Sequence, residues 1–258
     1  MTVPRALTIA TSDSGGGAGI QADLKAFAAA GAHGMSVLVA LTAQNTVGVT
    51  AIHELPPAFV REQLDAVFSD IGVDAAKTGM LFSRVLIETV ADVLEAKRPL
   101  LVVDPVMVAS SGAKLLEDDA VGALVGRLFP LATVVTPNLM EAQALTGLDV
   151  SRAELAERLH ELGAPTALVT GGHGDTAVDH LFDGVSHTEI PVERYDVAAT
   201  HGAGCTHSAT LAALLARGES LVDAARGAAV AAARAVEQGL VELGAGEGPV
   251  DVLGVRSR

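Results

Sequence analysis

The feature that most constrains the fold is a regular alternation of short apolar runs with longer amphipathic segments. Several runs are apolar at every position, as strands covered on both faces should be. The segments between them repeat their apolar residues with helical spacing, and this alternation is typical of βα units around a mostly parallel sheet. The predicted strands are 7–10, 36–41, 75–78, 100–103, 133–135 and 167–170, and the predicted helices are 19–30, 57–71, 83–96, 117–128 and 152–162.

Two stretches depart from this pattern. Residues 188–197 roughly alternate polar and apolar side chains and contain Pro191, which predicts an antiparallel strand at the edge of the sheet. The Ala-rich stretch 209–243 predicts two closely packed helices with a break near 218–220. Neither a linker nor a shift in composition divides the chain, so we expect residues 1–258 to form one domain.

Composition excludes several classes of protein. The 17 Lys and Arg residues against 31 Asp and Glu give a net charge of −14, which would repel a polyanion, so we expect no nucleic-acid partner. The one cysteine, Cys205, cannot form a disulfide within the chain, which excludes a secreted, disulfide-stapled scaffold. No apolar stretch is long enough for a signal sequence or a membrane span, so we expect a cytoplasmic protein with no membrane partner.

A glycine-rich turn late in the chain is the first candidate site. Gly202, Ala203, Gly204 and Cys205 lead into a helical pattern, so their backbone N–H groups and the helix dipole can hold a phosphate. Closing a tight loop is an equally ordinary use of such glycines. The first helical turn predicts a lowered pKa for the Cys205 thiol, although a lone cysteine is more often a small buried apolar residue.

A second glycine-rich loop, 13–19, joins the first predicted strand to the first predicted helix. Its spacing matches neither Walker A nor a dinucleotide-binding fingerprint, so it predicts either close backbone approach to a small molecule or a flexible turn. Asp23, four residues into the helix, is equally explained as a solvated or capping acid. Gln44 has donors and an acceptor that suit the edge of a nitrogen heterocycle, but an exposed turn amide is the simpler interpretation.

Polar residues also follow later strands at their carboxyl ends, where open α/β sheets bind ligands. Asp104 ends the strand 100–103, and Asn138 and Glu141 follow the strand 133–135. These side chains are placed to organise hydrated Mg²⁺ and nucleotide phosphates, with helix N-capping as the alternative. The turn 171–174 adds a backbone-lined wall, and its His173 is predicted to be structural.

Taken in order, the motifs closely resemble the hydroxymethylpyrimidine/phosphomethylpyrimidine kinases of thiamin biosynthesis. The resemblance covers nearly the whole chain and rests on segments 8–10, 13–19, 19–25, 43–46, 77–81, 104–107, 136–138, 171–173 and 200–206. It implies a ribokinase-like, three-layer α/β/α fold with a mostly parallel central sheet and an antiparallel edge. The implied reaction is ATP-dependent phosphorylation of 4-amino-5-hydroxymethyl-2-methylpyrimidine to its monophosphate and then to the diphosphate.

The resemblance also implies roles for individual residues. The residues expected around the phosphoryl group in flight are Gly202, Ala203, Gly204 and Cys205. Those expected in or beside the substrate pocket are Gln44, Asp23, Gly19, Met80, Val106 and Met107, with Gln44 at the aminopyrimidine edge. Those expected near ATP are Asp104, Asn138, Glu141, Thr170 and Gly172, with Mg²⁺ beside Asp104 and Glu141. On this scheme, the 202–205 turn and the Gln44 carboxamide must lie close together.

The chain departs from the common family pattern at several positions. Ser14-Gly15 stands where many relatives have Pro-Ser, and Thr11 stands where many have Gly. Thr170 occupies a position that is often Lys, so the charge of a transferring phosphoryl group would need another cation. Ala203 and His207 replace a common Thr and a common Leu, and neither change removes a backbone donor.

Two other functions stay open at this point. A pyridoxal or pyridoxine kinase on the same scaffold is the first, because some relatives with Cys in the anion hole accept that hydroxymethylpyridine. A non-catalytic pyrimidine-binding regulatory protein is the second, because Thr170 and Cys205 both stand where catalytic groups are common. The sequence does not fix the oligomeric state, for which we expect a homodimer.

Overall fold

One mixed β-sheet forms the centre of the computed structural model, which describes residues 2–107, 118–172, 174 and 176–257. Its strands are β1 (Arg5–Asp13), β2 (His33–Gln44), β3 (Val49–Glu54), β4 (Ala75–Thr78), β5 (Leu100–Val103), β6 (Val134–Val135), β7 (Ala167–Val169), β8 (Val178–Phe182) and β9 (His187–Pro191). The nine strands lie in the order β3-β2-β1-β4-β5-β6-β7-β8-β9. Neighbours from β2 to β7 pair in parallel, whereas β3, β8 and β9 pair antiparallel.

Helices cover both faces of this sheet. They are α1 (Gly19–Ala29), α2 (Pro57–Asp70), α3 (Arg84–Lys97), α4 (Asp118–Ala123), α5 (Leu139–Thr146), α6 (Arg152–Glu161), α7 (Ala203–Ala216) and α8 (Leu221–Glu237). A π-helical segment (Leu124–Leu128) and a 3₁₀ turn (Phe129–Leu131) follow α4, and a 3₁₀ turn (Val255–Ser257) lies near the C-terminus. No helix in the described part of the chain is both long and apolar enough to cross a membrane.

Successive side chains of the central strands enter different cores. In β5, Leu101 and Val103 pack with helices α2 to α6, whereas Val102 packs with α1, α7 and α8. This follows from the two-residue repeat of a strand, which sends neighbouring side chains to opposite faces. A strand covered on both faces must therefore be apolar throughout, which is the pattern seen in the sequence. The predicted three-layer α/β/α fold with antiparallel strands at its edge is confirmed.

The outer elements differ from the sequence prediction. The edge strand predicted at 188–197 ends at Pro191, because its partner β8 begins at Val178, directly opposite Pro191. Strands β3 and β8 and helix α5 were not predicted. Strand β3 has no buried residue, and α5 has one, Ala142, so neither carries a clear apolar repeat.

The helical regions at 117–128 and 209–243 follow the prediction in part. Helix α4 gives way to π-helical geometry after Ala123, while Glu117 lies outside the described residues. The Ala-rich stretch breaks where expected, since α7 ends at Ala216 and α8 begins at Leu221. Gly218, with a φ of 87°, makes the turn between these two helices.

Candidate active site

The turn before α7 presents free backbone donors at the carboxyl edge of the sheet. The Ala203 N–H donates to the Thr200 carbonyl at 3.0 Å, and the Thr206 N–H closes the first turn on the Gly202 carbonyl at 2.9 Å. Within the described chain, the N–H groups of Gly202, Gly204 and Cys205 donate to no backbone carbonyl, which leaves them available to an anion. Three of the four amides predicted to hold a phosphoryl group are therefore candidates for that role, while the Ala203 amide closes the turn.

The two glycine-rich loops touch each other. Gly202 has a φ of 86°, and a Cβ atom placed on it would overlap the carbonyl oxygen of Gly17. The Gly19 N–H, at the start of α1, donates to the thiol of Cys205. The loop 13–19 and the turn 202–205 thus form one continuous backbone surface, and side chains at Gly17 or Gly202 would separate its two halves.

Gln44 lies beside this surface. The Ser14 hydroxyl donates to the Gln44 carbonyl and accepts from its N–H, both at 2.8 Å, which fixes the end of β2 to the first glycine loop. The Gln44 Oε1 atom accepts from Thr42 Oγ1 at 3.0 Å, and its Nε2 atom lies 3.5 Å from His201 Nε2. His201 immediately precedes Gly202, so the carboxamide and the turn 202–205 lie close together, as the sequence predicts.

A buried cation that sequence reasoning missed lies under the turn. Lys77, in β4, is fully buried, and its Nζ lies 3.0 and 3.1 Å from the two carboxylate oxygens of Asp23. The second Asp23 oxygen also accepts from Thr8 Oγ1 at 2.6 Å. Asp23 is therefore neither solvated nor a helix cap, and its buried carboxylate holds Lys77.

Asp104 joins this charged cluster from the next strand. Its Oδ2 atom lies 3.5 Å from Lys77 Nζ and accepts from Ser208 Oγ, in the second turn of α7, at 2.7 Å. Lys77 thus lies between two carboxylates from different layers of the fold. Burial alone would lower the pKa of Lys77, but the carboxylates of Asp23 and Asp104 outweigh burial and raise it, so the ammonium stays charged.

The predicted lowering of the Cys205 pKa is wrong. Burial raises the pKa of this thiol to about 12, and the carboxylates of Asp23 and Asp104 act in the same direction. Lys77 and the Gly19 N–H oppose them without prevailing. Cys205 does lie in the first turn of α7, where the helix dipole favours a thiolate. Desolvation and two nearby negative charges outweigh the dipole, so Cys205 is a neutral thiol at physiological pH.

Asn138 and Glu141 form a capping box at the start of α5. The Asn138 side chain accepts from the Glu141 N–H, and the Glu141 side chain accepts from the Asn138 N–H, both at 2.9 Å. The N-capping alternative is therefore present in the structure. Burial and the nearby Asp104 carboxylate raise the pKa of Glu141 to about 8, although the Asn138 and Met107 amides donate to it.

The same two carboxylates fit a magnesium ion. Asp104 and Glu141 are close enough for their charges to interact, and such a crowded pair is relieved by a divalent cation. No cluster of three or more His, Cys, Asp or Glu side chains able to hold a metal lies within residues 2–107, 118–172, 174 and 176–257. Mg²⁺ needs no such cluster, because it binds through one or two carboxylates together with waters and substrate phosphates.

Other residues expected around the ligands lie at the same edge. Met80 is buried, and its carbonyl accepts from Thr11 Oγ1 at 3.1 Å. Val106 and Met107 are half-buried just past β5. Thr170 is half-buried and pairs with Asn138 in a short bridge, while Gly172 is exposed and His173 lies outside the described residues.

A second link that sequence reasoning missed connects the 171–174 turn to α7. Asp179 in β8 accepts from the Gly171 N–H at 2.5 Å and lies 3.1 Å from His207 Nε2. Both Asp179 and His207 are buried. His207 thereby connects the expected nucleotide side of the site to α7, the helix that begins at the turn 202–205.

Basic side chains stand close to Thr170. The Arg152 Nε atom donates to the Thr170 carbonyl at 3.4 Å, and the Arg194 Nε atom donates to the Gly171 carbonyl at 3.0 Å. The region around Thr170 therefore holds two guanidinium groups. A surface cavity of about 480 Å³ lies at the amino ends of the strands, near Pro4 and Leu100, and contains none of these groups.

Comparison with known proteins identifies the family of the chain. The family model described as phosphomethylpyrimidine kinase matches residues 13–251. The thiamine biosynthesis bifunctional protein ThiED of Geobacter sulfurreducens is 52% identical over 95% of this chain, which spans only 51% of that relative. The hydroxymethylpyrimidine/phosphomethylpyrimidine kinase of Rhizobium meliloti is 49% identical over 95% of both chains.

A solved structure extends the comparison to the fold. An ADP complex of Bacillus subtilis pyridoxal kinase superposes over 100% of both chains with a TM-score of 0.89 and 38% sequence identity. A pyridoxal kinase thus has the same fold as this chain. The matching family model and the curated relative from R. meliloti are instead described as kinases of a pyrimidine. The chain belongs to the phosphomethylpyrimidine kinase family.

Proposed function

We propose that this protein uses ATP to phosphorylate 4-amino-5-hydroxymethyl-2-methylpyrimidine and then its monophosphate. The observation that carries the proposal is the nearness of Gln44 to the turn 202–205, which the 3.5 Å contact with His201 establishes. A carboxamide there can hold a nitrogen heterocycle, and the amides of Gly204 and Cys205 can hold the phosphoryl group beside it. Membership of the kinase family supplies ATP as the donor.

Positioning and charge stabilisation account for most of phosphoryl transfer, and the site is built for both. Gln44 would orient the ring, so that the hydroxymethyl oxygen faces the start of α7. The free amides of the turn and the positive end of the helix dipole would then stabilise the equatorial oxygens during transfer. Asp104 and Glu141 would hold Mg²⁺, which neutralises phosphate charge when bound, and Glu141 must lose its proton to serve as a ligand.

Phosphorylation of pyridoxal is the second candidate, because the B. subtilis pyridoxal kinase shares the fold. The pyrimidine is favoured by Gln44, whose donors and acceptor suit the amino group and ring nitrogen of an aminopyrimidine. It is also favoured by the higher identity to curated relatives, 49% against 38% for the pyridoxal kinase. A non-catalytic binding protein is disfavoured because Asp104, Asn138 and Glu141 are all present.

Incubation with ATP·Mg²⁺ and the free pyrimidine alcohol, followed by mass detection, tests the proposal. We expect the monophosphate first and the diphosphate later. Parallel reactions with pyridoxal compare kcat/KM for the two rings. Faster turnover of pyridoxal would transfer the assignment to the second candidate, and tight pyrimidine binding without ATP turnover would leave a binding protein.

Replacing Cys205 by Ala is expected to slow the first phosphorylation more than the second. An alcohol gains from a group that accepts its proton, whereas the monophosphate is already anionic, since its second pKa is about 6. With a pKa of about 12, Cys205 can take this proton only through its small thiolate fraction, so we expect a loss of only about tenfold in the first kcat and less than about threefold in the second.

Single-turnover kinetics with each substrate measure the two effects separately. Cys205→Ser is the matched control, because it retains a small neutral group with an exchangeable proton. Equal losses in both steps for Cys205→Ala would show that Cys205 shapes the turn rather than assisting the alcohol.

Cellular context and assembly stay predictions. A free cysteine and the use of ATP favour the cytoplasm, and the acidic balance disfavours nucleic acid as a partner. The homodimer expected from the family resemblance is open to measurement by sedimentation equilibrium.

A further inference from the structure

His201 connects the substrate side of the site to the phosphoryl side. Its backbone is held by Gly248 and Val250 through hydrogen bonds of 3.3 and 3.1 Å. Its side chain, 13% exposed, turns back over the first glycine loop, where a Cβ atom on Gly17 would overlap the ring. The imidazole is therefore packed in one place, directly before Gly202.

The Nε2 atom of this ring is shared between two neighbours of different character. It lies 3.2 Å from Asp13 Oδ2 and 3.5 Å from Gln44 Nε2. Asp13 also accepts from the backbone N–H groups of Gly15, Gly17 and Ala18 at 2.7 to 3.0 Å. Burial would raise the pKa of Asp13, but the hydrogen bonds from His201, Ala18 and Gly15 outweigh burial and lower it.

The charge on Asp13 decides where the shared proton lies. An ionised carboxylate only accepts hydrogen bonds, so the contact with His201 requires a hydrogen on Nε2. A ring nitrogen that carries hydrogen has no lone pair in the plane of the ring, so it cannot accept from the Gln44 amide. Oε1 of Gln44 is engaged by Thr42, and within the described chain Nε2 has no acceptor apart from this ring nitrogen. The amide hydrogens of Gln44 are thereby kept for a ligand.

We propose that His201 is a positioning residue that determines which hydrogen-bonding groups Gln44 presents to the acceptor ring. By directing its Nε2 hydrogen to Asp13, it keeps the Gln44 N–H donors for an acceptor nitrogen on a heteroaromatic substrate. Because the same residue begins the turn to Gly202, it also sets the distance between the ring and the phosphoryl group. This inference rests on the proposed function, since it takes the ring to bind at Gln44.

His201→Phe tests the inference, because it keeps an aromatic ring over Gly17 but removes the donor to Asp13. The Gln44 amide is then free to donate to Asp13, and its donors are withdrawn from the substrate. We expect KM for the pyrimidine alcohol to rise about tenfold, which corresponds to one hydrogen bond, with KM for ATP changed less than about twofold. In His201→Gln an amide N–H can again donate to Asp13, so we expect KM to stay within about threefold of the original value.

A double-mutant cycle separates this role from general support of the fold. In a Gln44→Ala background, His201→Phe is expected to raise KM no further, because it acts through Gln44. The same rise in both backgrounds, or a tenfold rise in His201→Gln, overturns the inference. Should His201→Phe fail to fold, as judged by circular dichroism, His201→Leu in the two backgrounds decides, because leucine likewise removes the donor to Asp13. The reference reaction of the unchanged protein comes first: absent pyrimidine turnover rejects the proposed function, whereas turnover without coupling rejects only the role of His201.

Discussion

Lys77→Met is expected to lower the free energy of unfolding by about 3–5 kcal/mol, the usual cost of removing one member of a buried ion pair. Lys77 is fully buried between Asp23 at 3.0 Å and Asp104 at 3.5 Å, and the variant leaves both carboxylates without their cation. The pKa of Lys77 is raised, so its stabilisation is fully present below the ordinary lysine value of about 10.4 and is lost only as pH rises above it. Urea denaturation between pH 7 and 9 should therefore give a constant difference.

Asp23→Asn in the Lys77→Met background is the informative comparison. Removing both charges of the pair should recover about half or more of the lost stability, since a neutral replacement of a buried pair is often tolerated. Arg84→Met, which breaks the exposed pair with Glu88, controls for loss of a salt bridge in general and is expected to leave the transition unchanged. Equal destabilisation in the single and double variants would mean that Lys77 acts through packing rather than charge.

Activity in the double variant tests what the cation does for the reaction. Lys77 is the positive group beneath Asp104 and Cys205, where the phosphates bring further negative charge. With the fold recovered, we expect kcat to remain at least about tenfold below that of the unchanged protein, which is about 1.4 kcal/mol of barrier. Full recovery of kcat together with stability would limit Lys77 to a structural role.

The central strands and their helices could be predicted from sequence because their physical signal is local. A strand covered on both faces needs an apolar residue at every position. Strand β5 can therefore be predicted from its four consecutive apolar residues. Strand β3 is held by its pairing to β2 rather than by burial, and such pairing leaves no apolar pattern. The edges of the sheet are therefore where the sequence prediction fails.

The candidate site shows the same division. The positions of its residues in the fold could be predicted from sequence. The carboxyl ends of parallel strands and the glycine turns before helices are local features, and the topology brings them to one edge of the sheet. The charge states of its side chains could not be predicted, because they depend on which side chains contact each other in the folded protein. The position of Cys205 at the start of a helix predicts a low pKa for its thiol. Burial and the carboxylates of Asp23 and Asp104, which the sequence does not reveal, raise that pKa instead.

One signal for the missed cation was present in the sequence. Lys77 stands in a short strand whose other members are Ala75, Ala76 and Thr78, and a charged residue at such a position must be paired if the strand is buried. Its partner Asp23 lies in α1, more than fifty residues earlier, and is the one acidic residue of that helix. The role proposed for His201 had no comparable signal, because it arises from contacts with the last residues of β1 and β2, which are distant in sequence.

Gly202→Ala is expected to have the second large effect, because two independent costs fall on one residue. Its φ of 86° is in the left-handed region, where a Cβ costs about 1–2 kcal/mol. The added methyl group also meets the carbonyl oxygen of Gly17, a backbone atom that cannot turn aside. We expect a loss of about 3 kcal/mol or more in the free energy of unfolding, measured by urea denaturation.

Gly218→Ala separates the two costs. Gly218 has nearly the same φ, 87°, but a Cβ there meets nothing within 4 Å, so this variant carries the backbone strain alone. The difference between the variants then measures the contact between the two glycine loops. Because Gly202→Ala must move the anion-binding turn away from loop 13–19, kcat/KM should fall about a hundredfold, as expected for a displacement near 1 Å, while Gly218→Ala retains full activity. Equal stability and activity in the two variants would show that the loops are not held against each other, and the site would lose the close contact on which phosphoryl transfer to a ring held at Gln44 depends.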